Sequence, residues 1–596
     1  MNNFRSPVAD QRFVIHQVLD APRALADLPP HADTGAEIID AILEEGGRFC
    51  DEVIAPLYQP GDAGCTFKDG EVTAPAGFKE AYLAFALAGW SGATAPPEEG
   101  GQGLPYVVDA ALKEQINGAN MPWGNFPLLG HGAIEALRQQ GQDWQKQVFL
   151  KPLVEGIWTG TMCLTEPHCG TDLGLLKTKA EPVGDDRYAI SGQKIFITAG
   201  EHDFTDNIIH LVLARLPDAP AGVRGISLFV VPKFKVDRDG SVGERNAVWC
   251  GSIEHKMGLH GSATCVMNFD GAEGYLVGQP HKGLSAMFIM MNSARLGVGI
   301  QGLGLTERAW QNALAYANDR LQMRAPEGAR YPERPADPLI VHPDIRRMLL
   351  TCRAFAEGGR VLALFACLHE DLAAHATSDE QRQQADTVVG FLTPIVKGLL
   401  TEAGVECAYH AQQVFGGHGY IAEWGMEQLA RDVRITTLYE GTTQIQALDL
   451  IGRKTLLANG AGLKLMLTRI GEFCRLEAEN PAVIDLLPAL ADRAEQWRKL
   501  TAGIGAKAAD DPALAPAIAY DYLFYSGYVL LAWCWAQRVA AAERSELPAA
   551  FKRAQRETAN FYFQRLLPRC DQHAAIIANG AAPVTALSDE DIGASL

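Results

Sequence analysis

The sequence lacks the features of several protein classes. Its 596 residues carry 52 Lys and Arg against 71 Asp and Glu, a net charge of −19. This balance argues against a nucleic-acid partner, whose phosphates require clustered basic residues, and solubility is a simpler reason for it. No stretch approaches 18 uninterrupted apolar residues, and the N-terminus has no apolar signal-peptide core. We therefore expect a cytoplasmic protein with no membrane span.

Motifs for metals, disulfides and serine hydrolysis are also missing. The 12 cysteines form no C-x-x-C pair, and their irregular spacing suits reduced, buried thiols. His410 and His418 lie eight residues apart without a Cys or Asp at ligand spacing, so no metal site is predicted. No G-x-S-x-G motif supports a serine hydrolase.

The chain is long enough for two to four domains. Apolar residues recur with helical spacing up to about residue 158, and the Gly- and Pro-rich segment 93–105 is expected to be a loop. Short strand-like runs follow, with Ser191-Gly192 as a turn between two of them. The predicted domains are an N-terminal helical domain (1–158), a central β domain (159–281), a C-terminal helical bundle (282–455) and a helical extension (456–596).

The extension has no basic face, since it carries 14 Lys and Arg against 16 Asp and Glu. Its bulky stretches FYF and YVLLAWCWA can pack against another helical layer. Two interpretations stay open: the extension buries surface of the core domains or of a second subunit, or it forms a lid that faces substrate.

The segment GVGIQG at 297–302 matches the G-x-G-x-x-G pattern of dinucleotide-binding loops, and Asp319 follows at a suitable distance. Such a loop needs a buried strand before it, whereas the preceding MNSARL has helical character. The pattern therefore favours close helix–helix contact through small residues.

Two segments of the β domain can face a polar, planar ligand. The loop MCLTEPHCGTD at 162–172 offers N–H and O–H donors, although its composition equally suits a capped turn. In KIFITAG, alternation along a strand places Phe196 and Thr198 on one side. A ring and a hydroxyl on one face can line a ligand, but a buried aromatic residue is the commoner outcome.

The segment LYEGTTQIQ places a single carboxylate, Glu440, before a predicted helix. A solvated acid in a first helical turn would explain it, since helix N-termini favour negative charge. A catalytic base is the alternative, and the surrounding motifs decide between the two.

Taken in order, these motifs resemble those of the acyl-CoA dehydrogenase family of flavoproteins. CLTEPHCGTD is similar to the family's L-T-E-P-x-x-G-S-D loop, KIFITAG to K-x-W-I-T-N, and KMGLHGSATCVMNFD to K-x-G-x-x-x-S-x-T. QVFGGHGY and RDVRITTLYEGTTQIQ resemble the adjoining helical signatures, and PPEEGGQGLP an early loop. The resemblance covers about residues 30–455. The extension and the N-terminal RFVIHQVLD are similar to a longer branch that includes 3-methylmercaptopropionyl-CoA dehydrogenases.

The resemblance implies a mainly α fold with a central β domain: an N-terminal helical domain, a barrel-like middle domain, a four-helix bundle and, here, extra C-terminal helices. It implies FAD between the barrel and the bundle of one subunit, reached by a neighbour in a homodimer or homotetramer. The activity implied is α,β-dehydrogenation of an acyl-CoA to a trans-2-enoyl-CoA in β-oxidation, with an electron-transfer flavoprotein as oxidant. A medium to long straight acyl chain is the first expectation, and the 3-methylmercaptopropionyl thioester stays open.

Residue roles follow from the resemblance position by position. Glu440 matches the family's base in the Y-E-G-T motif. Such a base is expected in a water-poor pocket, where burial raises the pKa of a carboxylate towards the working pH. The N–H of Glu440 would help to polarise the thioester oxygen. The expected FAD contacts are Thr165, Phe196, Thr198, Arg320, Gln413, Gly416, Gly417 and Thr442, and the expected substrate contacts are Thr171, Asn292, Arg295, Tyr439 and Gly441.

Two departures from the family pattern weaken parts of this assignment. Arg320-Leu-Gln-Met323-Arg324 replaces R-x-x-F-G, and a longer loop follows it, so contacts with a neighbour's FAD are open. Phe196 replaces a Trp, which keeps a ring but loses the indole donor. The rival functions are an acyl-CoA oxidase, a nucleic-acid-associated member of the fold and a non-catalytic scaffold, and the acidic charge and Glu440 argue against the last two.

Overall fold

The structure is a computed structural model that describes residues 4–594. Residues 1–3 and 595–596, at the outer ends of the first and last predicted domains, lie outside the described residues. The N-terminal region is helical, as expected. Its helices are α1 (Val8–Arg12), α2 (Ala21–Ala26), α3 (Ala36–Phe49), α4 (Tyr58–Gly61), α5 (Phe78–Leu87), α6 (Tyr106–Gln140), α7 (Asp143–Gln145) and α8 (Lys151–Val154).

This region also contains a hairpin that the periodicity did not predict. Strands β1 (Thr66–Lys68) and β2 (Glu71–Thr73) are antiparallel. Asp69 and Gly70 connect them with φ of 53° and 87°, the left-handed geometry of a two-residue hairpin turn. The Asp-Gly pair was the available sequence signal.

The central region is a β domain built from nine strands. They are β3 (Trp158–Cys163), β4 (Lys179–Gly184), β5 (Arg187–Thr198), β6 (Asn207–Arg215), β7 (Ile226–Pro232), β8 (Phe234–Val236), β9 (Val242–Arg245), β10 (Val248–Ile253) and β11 (Thr264–Val277). Strands β11, β5, β4, β6 and β7 pair in succession, and β7 pairs again with β11. The sheet therefore closes on itself, and the barrel-like expectation is confirmed.

The predicted turn at Ser191-Gly192 is wrong, because β5 runs through both residues. Gly192 has a φ of 153°, and a Cβ there would lie 2.5 Å from Thr178 Oγ1. Glycine at this position allows the two backbones to approach closely and does not end the strand.

The C-terminal bundle is framed by three long helices, α9 (Gly283–Asp319), α10 (Pro343–His375) and α11 (Asp379–Phe415), with the shorter α12 (Met426–Arg434) and α13 (Thr443–Leu448) against α11. The segment GVGIQG lies inside α9. A Cβ on Gly299 would lie 2.7 Å from Val396, and one on Gly302 would lie 2.5 Å from the carbonyl oxygen of Leu400. Close helix–helix contact is thus confirmed, and the dinucleotide loop is excluded.

The extension consists of α14 (Ala461–Leu476), α15 (Leu487–Lys507), α16 (Leu514–Arg544), α17 (Ala549–Phe561), α18 (Arg569–Asn579), α19 (Ala582–Thr585) and α20 (Asp589–Ile592). Its central helix α16 is buried against the bundle. The indole of Trp535 donates to the carbonyl of Ala354 at 3.0 Å, and Gly527 brings α16 against Leu399. Packing of the extension on the core domains is confirmed.

The cysteines and the two most apolar long helices are largely buried. The 12 cysteines are free thiols, and all but Cys65 and Cys474 are buried. Two helical segments, Gly283–Asp319 and Asp379–Tyr420, are long and apolar enough to cross a bilayer by length and hydropathy alone. Their most apolar windows are 61% and 78% buried in the fold, as expected of core helices. The absence of a membrane span stays a prediction.

Candidate active site

Glu440 lies in a tight turn between α12 and α13. Its φ is 55° and that of Gly441 is 86°, so two consecutive residues adopt the left-handed backbone that disfavours side chains. The φ of Gly441 favours glycine there, and an added Cβ would also lie 2.6 Å from Gln446 Nε2. Gln446 Nε2 donates to the carbonyl of Glu440 at 3.0 Å, and Lys397 Nζ donates to the carbonyl of Gly441 at 2.6 Å.

The carboxylate of Glu440 is partly buried and weakly paired. Within residues 4–594 it accepts no hydrogen bond and forms no ion pair within 4 Å. Burial raises its pKa to about 7, and the charges of Arg295 and Lys397 oppose that rise. A carboxyl group with this pKa accepts a proton far more readily than an ordinary glutamate and is still ionised in part at neutral pH.

A chain of amide side chains anchors Tyr439, the residue before the base. Its hydroxyl donates to Gln301 Oε1 on α9 at 2.5 Å. Gln301 Nε2 donates to Asn125 Oδ1 on α6 at 2.7 Å, and Asn125 Nδ2 donates to Ser262 Oγ at 3.4 Å. Because these amides are buried, they connect the turn to two helices and to a loop of the β domain.

Arg295, whose charge acts on Glu440, lines a cavity of about 310 Å³ together with Asn292, although no residue of the Glu440 turn lines it. Arg295 Nη1 lies 3.6 Å from Asp449 Oδ2, and the buried Arg295 Nε has no hydrogen-bond partner among the described residues. Glu370 on α10 also lines the cavity, and burial raises its pKa to about 7 against the charge of Lys113. Polar and apolar side chains both line the cavity, and its carboxylates are Glu370, Asp386 and Asp449. Sequence reasoning did not consider Glu370.

The loop before β4 is held by a buried ion pair. Lys194 Nζ lies 2.9 Å from Glu166 Oε1 and donates to the carbonyl of Leu164 at 3.0 Å. Glu166 also accepts the N–H of Thr178 at 3.0 Å, and Thr165 accepts the N–H of Ile195 at 2.9 Å through its carbonyl. This arrangement fixes Thr165 next to the strand that carries Phe196 and Thr198.

The side chains of β5 do not alternate regularly between the two faces of the sheet near Phe196, so the alternation predicted from the sequence fails there. Phe196 has a φ of 59°, and the pairing with β11 shifts register between Lys194 and Ile197, as in a β-bulge. Lys194 and Ile197 are both buried, while the Phe196 ring is 58% exposed. Because of the bulge, the ring faces outward beside a half-buried Thr198.

The remaining predicted FAD contacts gather at the end of the bundle. Tyr316 on α9 stacks on Phe415, with ring centroids 4.1 Å apart, and its hydroxyl lies 2.8 Å from His418 Nδ1. These contacts bring the end of α9, which precedes Arg320, to the Gly-Gly segment after α11. The predicted residues of this group, Arg320, Gln413, Gly416 and Gly417, are all exposed. Among residues 4–594, no hydrogen bond, ion pair or ring contact joins this group to Glu440.

Two predicted residues have individual outcomes. Thr442 is the N-cap of α13, and its hydroxyl oxygen accepts the N–H of Ile445 at 3.3 Å, so it already has a structural role. Thr171 is exposed on its loop, and the structure does not bring it to the Glu440 turn. Their ligand contacts stay predictions.

Sequence reasoning missed Lys397, Gln446, Gln301 and Asn125. A signal existed for Lys397, which is a single charge inside the apolar stretch LTPIVKGLL. A lysine at such a position is buried only with a specific partner. The amides gave no comparable signal, because their partners are far away in the sequence.

The predicted FAD residues fit a large, planar, phosphate-bearing group. The exposed Phe196 ring offers a flat apolar surface beside the hydroxyl of Thr198, and Thr165 lies close by. Gly416 has a φ of 58°, and added Cβ atoms on Gly416 and Gly417 would meet nothing within 4 Å. The backbone at this end of the bundle is therefore open to close approach by a ligand.

Family models match almost the whole chain. The N-terminal, middle and C-terminal domains of acyl-CoA dehydrogenase match residues 37–157, 161–272 and 281–456. A further model, described as acetyl-CoA dehydrogenase C-terminal like, matches residues 466–588. The extension thus has a family model of its own.

Curated relatives and solved structures agree with this assignment. The chain is 44% identical to a 3-methylmercaptopropionyl-CoA dehydrogenase of Ruegeria pomeroyi over 98% of this chain and 99% of the relative. It is 36% identical to the broad-specificity linear acyl-CoA dehydrogenase FadE5 of Mycobacterium tuberculosis over 80% of each chain. At the level of the fold, ACDH-11 of Caenorhabditis elegans in complex with C11-CoA superposes with a TM-score of 0.76 at 19% identity, covering 93% of this chain and 90% of that one. The protein therefore belongs to the acyl-CoA dehydrogenase family of FAD-dependent oxidoreductases, which act on the CH–CH bond of acyl-CoA thioesters.

Proposed function

We propose that Glu440 is the base that removes the α-proton of an acyl-CoA thioester to give a trans-2-enoyl-CoA. Its carboxylate takes the proton from Cα, and FAD supplies the acceptor for the hydride that leaves Cβ. Within residues 4–594 the N–H of Glu440 donates to no protein acceptor, which leaves it available to the thioester carbonyl. Hydrogen bonding at that carbonyl would acidify the α-proton.

One observation carries this proposal: Glu440 is a partly buried carboxylate without a hydrogen-bonded cation, and burial raises its pKa to about 7. A solvated first-turn acid would keep an ordinary pKa. The left-handed φ of 55° also supports a functional role, because strained non-glycine residues are concentrated at active and ligand-binding sites.

We propose 3-methylmercaptopropionyl-CoA as the first substrate to test. Support comes from the 44% identity over nearly the full length of both chains. A medium to long straight chain is the second candidate, which the 36% identity to a broad-specificity linear acyl-CoA dehydrogenase favours.

The oxidant that we propose is an electron-transfer flavoprotein, and the assembly is a homodimer or homotetramer in the cytoplasm. The exposed Gly416-Gly417 group supports an assembly in which a neighbour completes the FAD site. An acyl-CoA oxidase would differ in letting oxygen reach the reduced flavin. An oxygen pulse after anaerobic reduction separates the two, because only an oxidase is expected to reoxidise rapidly.

Anaerobic titration of the FAD-loaded protein with a panel of acyl-CoAs tests the proposal. The panel contains 3-methylmercaptopropionyl-, butyryl-, octanoyl- and palmitoyl-CoA, and bleaching of the flavin absorbance is followed. We expect Glu440→Gln to retain FAD and to bleach at least about 100-fold more slowly with every thioester, in line with the loss of a general base.

Two matched variants sharpen this test. Glu423→Gln makes the same change at an exposed carboxylate and should bleach like the wild type. Glu370→Gln tests a carboxylate that lines the cavity beside Arg295 and whose pKa burial also raises to about 7. Normal bleaching in Glu440→Gln together with loss of bleaching in Glu370→Gln would transfer the role of base to Glu370.

A further inference from the structure

The turn that carries Glu440 is held by two side chains of different charge. Gln446, a neutral amide on α13, donates to the carbonyl of Glu440 at 3.0 Å. Lys397, a cation on α11, donates to the carbonyl of Gly441 at 2.6 Å. Glu440 is a non-glycine residue with a left-handed backbone, which is unfavourable without such support, so both donors stabilise the orientation in which the base projects from the backbone.

Lys397 is buried in the middle of α11, with 0% of the residue exposed. Its ammonium group faces two carboxylates, Glu440 and Glu402. Glu402 accepts the hydroxyl of Thr443 at 2.6 Å. A buried ammonium ion is costly unless it is paired and hydrogen-bonded. The ammonium group of Lys397 donates its hydrogen bond to a backbone carbonyl and not to the carboxylate of Glu440.

We propose that Lys397 is a positioning residue for the base: it holds the Gly441 carbonyl, which fixes the turn, and its charge stabilises the ionised form of Glu440 without a hydrogen bond to it. This inference rests on the proposed role of Glu440. The arrangement keeps the carboxylate available near neutral pH and leaves its oxygens free to accept a proton.

The electrostatics support this geometry. Burial lowers the pKa of Lys397 to about 8, against the charges of Glu440 and Glu402, so most of the side chain is protonated at pH 7. Arg295 on α9 is the other cation facing Glu440, and it in turn faces Asp449 and Arg453. Removing the charge of Lys397 should leave Arg295 as the remaining cation that opposes the effect of burial on Glu440.

A set of matched variants separates positioning from charge. Lys397→Met removes the donor and the charge, Lys397→Gln keeps a donor without the charge, Lys397→Arg keeps the charge, and Gln446→Met removes the neutral donor alone. The rate of anaerobic flavin bleaching at saturating substrate is measured from pH 5.5 to 9.5. Bound FAD and the thermal midpoint show which variants fold.

We expect the pH midpoint of bleaching to rise by about one unit in Lys397→Met and Lys397→Gln, since a nearby opposite charge favours the ionised carboxylate. Gln446→Met should slow bleaching without moving the midpoint, and Lys397→Arg should retain the wild-type midpoint. KM should change little, because neither side chain lines the cavity beside Arg295. If one lysine variant does not fold, the other still gives the midpoint.

An unchanged midpoint in the folded variants Lys397→Met and Lys397→Gln would overturn the inference. The pH dependence of the thermal midpoint is a readout without turnover: the range in which ionisation of Glu440 lowers stability should move upward in the same two variants. Failure of the proposed function is distinguishable, because it would appear as normal bleaching in Glu440→Gln. If Glu440→Gln is inactive and the lysine variants keep the wild-type midpoint, this inference alone is wrong.

Discussion

Two of the regions that hold buried charges in this protein, the Glu440 turn and a cluster that we call the seam cluster, are built differently. The seam cluster joins α1, α6, α9, α10 and α16 and consists of Asp10, Glu114, Glu307, Glu357, Arg360 and Arg538. Its two guanidinium groups contact the carboxylates directly: Arg360 Nη2 lies 2.6 Å from Glu114 and 2.7 Å from Glu307, and Arg538 Nη2 lies 2.5 Å from Asp10 and 3.1 Å from Glu357. At Glu440, neither Arg295 nor Lys397 touches the carboxylate.

The difference appears in the protonation of two carboxyl groups. Burial alone would raise the pKa of both Asp10 and Glu440, because it disfavours the ionised form. At Asp10, contacts with Arg538 and Arg360 outweigh burial and lower the pKa to about 2. At Glu440, burial outweighs more distant cations, and the pKa is about 7. Direct pairing makes a carboxylate a good structural link and a poor base, whereas cations held at a distance keep it basic.

The largest predicted effect follows from removing a guanidinium group from the seam cluster. Arg360→Met would leave Glu114, Glu307 and Asp10 with less compensation in a buried region. We expect a loss of about 3–5 kcal/mol, the usual result of breaking a buried pair by removing one partner, seen as a large fall in the thermal midpoint. A change no larger than that of Arg498→Met, at an exposed pair, would contradict the structural role.

A compensating variant tests whether the loss comes from unpaired charge. Arg360→Met combined with Glu114→Leu removes one of the stranded carboxylates. We expect the double variant to be more stable than Arg360→Met alone, because the two residues share one interaction. An additive loss would instead indicate that packing of the arginine side chain dominates.

The second prediction concerns Glu440, whose ionisation lowers the stability of the folded protein instead of raising it. Its pKa in the folded protein, about 7, lies above the usual 4.5, so the folded state binds the proton more tightly than the unfolded state. Stability should therefore fall as pH rises from about 4.5 to 7 and then level off, with a total loss of at most about 3 kcal/mol.

Glu440→Gln should remove this pH dependence. At pH 8 we expect the variant to have a higher thermal midpoint than the wild type while it fails to bleach flavin, so that activity and stability change in opposite directions. The comparison is made on FAD-loaded protein at pH 4.5 and pH 8. An equal or lower midpoint at pH 8 would contradict the cost assigned to the buried carboxylate.

The same contrast explains what the sequence could predict. Local periodicity and turn residues indicated the helical, β, helical order of the chain, and the motif around Glu440 indicated its site. The hydrogen bonds that complete the site join residues far apart in the sequence: Lys397 to Gly441, Gln301 to Tyr439, and Asn125 to Gln301. No local pattern encodes such pairings, because they depend on how α6, α9 and α11 pack.

Exceptions to local rules were missed for a related reason. Alternation along β5 fails at Phe196, where a bulge with a φ of 59° turns the ring outward. Gly192 suggested a turn, yet it allows close approach to Thr178. In both places a tertiary contact or a bulge overrides the local preference.

The smallest predicted effect concerns an ion pair that joins α18 of the extension to α11. Its side chains are 33% and 28% exposed, so it is less buried than the seam cluster. Arg569 Nη2 lies 2.6 Å from Glu406 Oε1. Although burial opposes ionisation, hydrogen bonds from Arg569 and His410 lower the pKa of Glu406 to about 2. The pair should therefore stabilise the protein above about pH 4.5 and lose its effect as pH falls towards 2. We expect Arg569→Met to cost about 1 kcal/mol at pH 7 and progressively less in acid, measured as a thermal midpoint relative to wild type at each pH. A loss as large as that of Arg360→Met would show that partial exposure does not weaken the pair, and it would remove the distinction between the seam cluster and the surface of the extension.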